Sequence, residues 1–140
     1  MLAQGYASTT QDESAAFEYH TAKWITELLK EVGIPVHLHG YRYLTDAVQL
    51  TISLPEMCIN LSHQLYPCIA KRYHTTPSCV ERSIRHAIDL AWQRGSLRAV
   101  NGMFGRTINL AYDKPTNSEM IALLAEKISL KLYESNAMDL

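Results

Sequence analysis

A Thr76-Pro77 step ends one helix and starts another, and that punctuation constrains the fold more than any other feature of the chain. The residue before a proline avoids the helical region, so no helix runs through Thr76. Thr76 can accept hydrogen bonds from the free N–H groups of the helix that follows. Pro77 suits the first helical position, where its missing N–H costs nothing. From there Val80, Ile84, Ala87, Ile88, Ala91 and Trp92 recur at helical spacing and form one apolar stripe. At about 100° per residue the opposite face carries Ser78, Arg82, Arg85, His86 and Asp89, flanked by Cys79 and Glu81. The preceding segment places Leu65, Ile69, Ala70 and Tyr73 inward and Lys71 and Arg72 outward. A short basic helix, a His74-Thr75-Thr76-Pro77 turn and a longer helix with polar groups in its N-terminal half predict a helix-turn-helix across Leu65–Arg94.

Helical periodicity governs the rest of the chain too. Residues 1–14 are rich in Gln, Ser, Thr and Gly with little apolar content, which predicts a disordered lead. A first helix is expected from about Ala15 to Val32, with Phe17, Trp24, Ile25, Leu28, Leu29 and Val32 as its apolar positions. Gly33 and Ile34-Pro35 end it. A second helix follows Gly40, on the spacing of Tyr43, Leu44, Ala47, Val48, Leu50 and Thr51. Gly95 breaks the helix that Pro77 opens, and Ser96 can cap a short one through Leu97, Val100 and Met103. Gly102, Gly105, Asp113 and Pro115 then mark a loop. Thr116-Asn117-Ser118-Glu119 matches a capping box, opening a final helix to about Tyr133 that buries Met120, Leu123, Leu124, Ile128 and Leu132. The expected fold is all-α, a single domain of about six helices over 15–140 built around the helix-turn-helix.

At 140 residues and 47% hydrophobic, the chain can bury a core without disulfides or metals. No apolar run approaches the roughly 20 residues that span a bilayer, and no basic-then-apolar leader opens the sequence. Cys58, Cys68 and Cys79 are odd in number and widely spaced, which fits free thiols in a reducing cytoplasm. The formal charge of −1 hides an asymmetry. Residues 1–56 are net −4, whereas 71–106 gather Lys71, Arg72, Arg82, Arg85, Arg94, Arg98 and Arg106 against Glu81 and Asp89, net +5. Charge gathered around a helix-turn-helix fits a local polyanion contact. Taken alone, it fits a solvated basic face equally.

A recognition helix lies in the major groove with its N-terminal half at the base edges. Arg82 and Arg85 can each present a fork to guanine O6 and N7, and Glu81 can accept from cytosine N4. Ser78 and His86 are candidate phosphate contacts, as are Lys71 and Arg72 on the preceding helix. The competing view is a surface helix laced by pairs such as Arg85 with Glu81 or Asp89. Turn chemistry, the basic first helix and the local charge agree in favouring DNA. His37-x-His39 has no nearby acid or thiol, and the cysteines lie ten and eleven residues apart, so no metal is expected. With no glycine-rich phosphate loop and no nucleophile elbow, neither an enzyme nor a cofactor is predicted. Trp24 and Trp92 sit on apolar stripes and read as core.

Three blocks, GIPVHLHGYRYLTDAV, LYPCIAKRYHTTPSCVERSIRHAIDLAWQRG and KPTNSEMIALLAEK, resemble the C-terminal effector domains of stage zero sporulation protein A, the sporulation response regulator of endospore-forming bacteria. The similarity covers about Ile25 to Lys131, and VERSIRHAIDLAWQRG is its most specific part. The resemblance implies a six-helix module that binds tandem copies of a box like TGTCGAA, forms a homodimer on DNA, and activates or represses transcription. It implies that Glu81 and Arg82 read bases, with Arg85 and His86 close to bases or backbone. It also implies that the segment from Arg94 through Arg98 and Phe104 to Ile108 meets the primary sigma factor of RNA polymerase.

Two departures from the family pattern stand out. Cys79 occupies the place of an arginine, and Leu97, Arg98, Ala99 and Asn101 replace mostly small polar residues, although Phe104 is kept. The family's receiver domain has no counterpart in this sequence, so an effector alone is expected. The sequence therefore predicts a cytoplasmic, sequence-specific, double-stranded-DNA-binding transcription regulator. Its rival is a helical interaction module that keeps the scaffold and docks protein through 94–108.

Overall fold

The structure, a computed structural model, describes residues 2–96 and 114–138, with side chains over 14–96 and 114–136. Five α-helices form among these residues: α1 (Leu2–Glu31), α2 (His39–Ser53), α3 (Tyr66–Arg72), α4 (Pro77–Gln93) and α5 (Asn117–Met138). The described residues contain no strand, so the fold is all-α. A 3-10 turn at Pro55–Cys58 and a π turn at Leu61–Leu65 carry the chain from α2 into α3. The short helix expected after Ser96 lies outside the described residues, which leaves five helices where about six were expected.

The core is organised on α2, which packs against α1, α4 and α5. Its Leu44, Ala47 and Val48 are fully buried, among Ile25, Leu29 and Val32 from α1, Ile84 and Ile88 from α4, and Met120, Ile121 and Leu124 from α5. Burying each large aliphatic side chain contributes about 1.5–3 kcal/mol, and this shared core fixes where α4 sits. Gly40 lies inside α2, as its second residue, and not before it. A Cβ at Gly40 would collide with the Ser83 carbonyl oxygen and lie 2.8 Å from Ala87 Cβ. Two helix backbones therefore meet at Gly40, and only glycine leaves the room.

The first helix departs most from expectation. It starts at Leu2, so the segment expected to be a disordered lead is helical. A polar composition says that a segment cannot bury a core; it does not stop a helix nucleated downstream from propagating through residues that include no proline. Phe17, expected to be an apolar packing position, is 48% exposed. Among the residues whose side chains are described, the buried face of α1 begins at Thr21, and residues 14–20 are exposed. At its other end Gly33 takes φ 88°, and the Ile34 N–H closes on the Leu29 carbonyl at 2.9 Å.

The capping box of α5 forms as the sequence implies. The Glu119 N–H donates to Thr116 Oγ1 at 3.1 Å, and the Thr116 N–H donates to Glu119 Oε1 at 3.0 Å. The helix runs on to Met138, past its expected end near Tyr133, and Tyr133 is exposed. Trp24 and Trp92 flank the core half-buried instead of filling it, and the Lys131 ammonium lies 4.7 Å from the Trp24 ring centre.

Candidate nucleic-acid interface

The turn between α3 and α4 is closed at both ends by local hydrogen bonds. Tyr73 ends α3, with its N–H on the Ile69 carbonyl at 3.1 Å. His74 then takes φ 54°, a left-handed position usually left to glycine, and the Thr75 N–H reaches back to the Ala70 carbonyl at 2.9 Å. Thr76 caps α4, accepting from the Cys79 N–H at 3.1 Å, and Pro77 opens the helix. Reversal of the chain is thus built into four residues.

Burial sorts the faces of α4. Val80, Ile84, Ala87, Ile88 and Ala91 are at most 1% exposed. Ser78, Arg82, Arg85 and His86 are exposed on the other side, with Cys79, Glu81 and Asp89 half-buried along the edges. Lys71 and Arg72 are exposed at the end of α3, just before the turn. All eight described candidate contacts therefore belong to one structural unit, and none is consumed by the core.

Several of these groups already have partners. Arg85 Nη1 meets Glu81 Oε1 at 2.8 Å, the i,i+4 pair that the competing view foresaw. Both side chains remain substantially exposed, at 53% and 39%, so exchanging the pair for a DNA contact costs well under about 1 kcal/mol. Arg82 Nε donates to the Ser78 carbonyl at 3.3 Å, and among the described residues no acid pairs with its guanidinium. Cys79 Sγ lies 4.0 Å from Ser83 Oγ, turned toward the helix edge.

Further residues shape the site, and of these only Asn117, within the capping box, was named from sequence. Asn117 Nδ2 donates both to the Glu81 carbonyl and to the Tyr66 hydroxyl, at 3.1 Å each, tying the start of α5 to α4 and α3. Burial raises the Tyr66 phenol, with the Asn117 hydrogen bond opposing the shift. Lys114 Nζ meets Asp89 Oδ1 at 2.7 Å on the same side of α4. Asp46 of α2 pairs with Arg72 Nη1 at 3.3 Å. Burial, reinforced by the Asp46 carboxylate beside it, pushes the Tyr73 phenol up to about 12. The capping-box pattern pointed at the start of α5. Nothing in the spacing of Asp46 and Arg72, 26 residues apart, signals their pairing.

The sigma-contact residues Arg98, Phe104 and Ile108 lie outside the described residues. Cys58, Cys68 and Cys79 are all free thiols. Among the described residues no three His, Cys, Asp or Glu side chains gather as a metal site, and no helix is long and apolar enough to cross a membrane. The family model described as "Sporulation initiation factor Spo0A C terminal" matches residues 25–128, a span that contains α2, α3, the turn and α4 in full.

Proposed function

This chain belongs to the sporulation initiation factor Spo0A C-terminal family, a family of DNA-binding regulator domains and not of enzymes, and we propose that it is a sequence-specific transcription regulator of the cytoplasm. In this reading the effector unit is 15–140, and α4 enters the major groove of a TGTCGAA-like box. Glu81 and Arg82 read bases, Arg85 and His86 lie at bases or backbone, and Lys71, Arg72 and Ser78 fix register on phosphates. Tandem boxes bring two copies together as a homodimer on DNA. The segment carrying Arg98, Phe104 and Ile108 meets the primary sigma factor, and the bound protein activates or represses transcription.

The observation that carries the reading is the division of α4. A stripe that is at most 1% exposed faces the core, and Ser78, Arg82, Arg85 and His86 face out beside a basic α3. The test is an anisotropy titration against a TGTCGAA duplex and a scrambled duplex at two salt concentrations. Specific binding that weakens steeply with salt is expected, because each phosphate contact releases counterions. Equal affinity for both duplexes would remove the sequence-specific reading. Absence of DNA binding at both salts would leave the protein-docking module.

Cys79 supplies a sharper check. It stands on the half-buried rim of the reading face where the family pattern carries an arginine. A fork contact is worth about 1–3 kcal/mol of discrimination, and a thiol cannot make one. Cys79→Arg is therefore expected to tighten binding to the TGTCGAA duplex about tenfold, with little change on the scrambled one. Equal or weaker binding to the box, with the same site recovered by selection, would count against this docking pose.

A further inference from the structure

Asp46 is the one buried acid of the described core, 8% exposed on the face of α2 that meets α3. One of its oxygens, Oδ1, takes the Arg72 guanidinium at 3.3 Å. The other, Oδ2, is buried with no hydrogen-bond partner among the described residues, and the Tyr73 phenol lies beside the carboxylate. A carboxylate withdrawn from water to this degree depends on its cation, and removing the partner of a buried charge is strongly unfavourable. The asymmetry of the pair is informative. The Asp46 side chain is 11% exposed and fixed to the central helix, whereas that of Arg72 is 63% exposed. Asp46, fixed by its place in the core beside the Tyr73 phenol, therefore restrains the more exposed Arg72.

We propose that Asp46 is a positioning residue for DNA binding: anchored on α2, it holds the Arg72 guanidinium at the end of α3 in the orientation that meets a backbone phosphate. This rests on the DNA-binding reading above and adds to it a residue that touches no DNA. A long arginine on a seven-residue helix loses rotamer entropy when it binds. An arginine already tethered through one nitrogen has lost part of that entropy on folding, and its fork keeps further donors for the phosphate. Lys71, its neighbour, is also exposed but has no ion-pair partner among the described residues. Lys71 is thus the natural control for an untethered cation.

The experiment is the salt dependence of binding to the specific and scrambled duplexes for the full chain, Arg72→Ala, Asp46→Asn and the double variant. Arg72→Ala is expected to lower the slope of log affinity against log salt by about one on both duplexes. Asp46→Asn is expected to lower it by nearly as much, and the double variant by no more than Arg72→Ala alone. The sign is diagnostic, because removing a negative charge near DNA without any positioning effect would tighten binding. Nuclear magnetic resonance relaxation of the Arg72 Nε–H in the unmodified protein gives a reading that requires no variant to fold. There Arg72 is expected to be markedly more ordered than Arg82. A wild-type slope in folded Asp46→Asn beside a lowered slope in Arg72→Ala would overturn the positioning role and leave the function intact. An Arg72 side chain as mobile as Arg82, or an unchanged slope in Arg72→Ala, would overturn it as well. Absence of binding to either duplex by the unmodified chain would instead remove the DNA reading itself.

Discussion

Gly40→Ala is expected to destabilise the protein by about 2 kcal/mol, although the same change in an exposed helix would stabilise it by nearly 1. The added methyl meets the Ser83 carbonyl oxygen, which belongs to the backbone of α4 and cannot rotate away, and it crowds Ala87 Cβ at 2.8 Å. Relief requires α2 and α4 to separate, which loosens Leu44, Ala47 and Val48 against Ile84 and Ile88. For a chain of this size the melting temperature should fall by about 4–8 °C. Because α4 is also the proposed reading helix, the displacement should weaken specific DNA binding even at temperatures where the variant stays folded. Gly40→Val should be worse on both counts, since its branched side chain adds volume in the same place. A melting temperature equal to or above that of the unmodified chain would show that the helices can part freely, and would undo this account of the α2–α4 junction.

Arg82→Ala should cost about 1–3 kcal/mol of affinity at the TGTCGAA duplex, relax preference at one base pair, and leave the melting temperature almost unchanged. The stability half follows from position. Arg82 is exposed on the side of α4 away from Val80, Ile84 and Ile88, its one hydrogen bond among the described residues runs to the Ser78 carbonyl at 3.3 Å, and truncation leaves no cavity. The affinity half follows from its freedom from an acid partner among the described residues, unlike Arg85, which is held by Glu81. Lys71→Ala is the comparison. Loss of a phosphate contact should weaken specific and scrambled duplexes alike and lower the salt slope by about one. If Arg82→Ala produced that same parallel loss, Arg82 would be a backbone contact and the base-reading role would pass to another residue of the face.

Local chemistry alone determined the centre of this protein. A Thr-Pro step and apolar residues at helical spacing dictate where α4 starts, which side is buried and which basic groups face out, because capping and periodicity act within a few residues. The same holds for the capping box of α5 and for the glycine that ends α1. Tertiary structure decided what depends on distance. Phe17 has helical spacing but no core beneath it, and no pattern within α1 says where the neighbouring helices stop. The first residues follow α1 as helix because propagation needs only permissive residues, which composition does not distinguish from disorder. Gly40 reads as punctuation in sequence and proves to be a crossing point, since its role belongs to Ser83 on another helix. The Asp46–Arg72 pair is set by the docking of α3 on α2, and the Asn117 clamp on Glu81 by the docking of α5 on α4. Periodicity reports a side chain's own helix; which partner it meets is fixed only when the helices pack around α2.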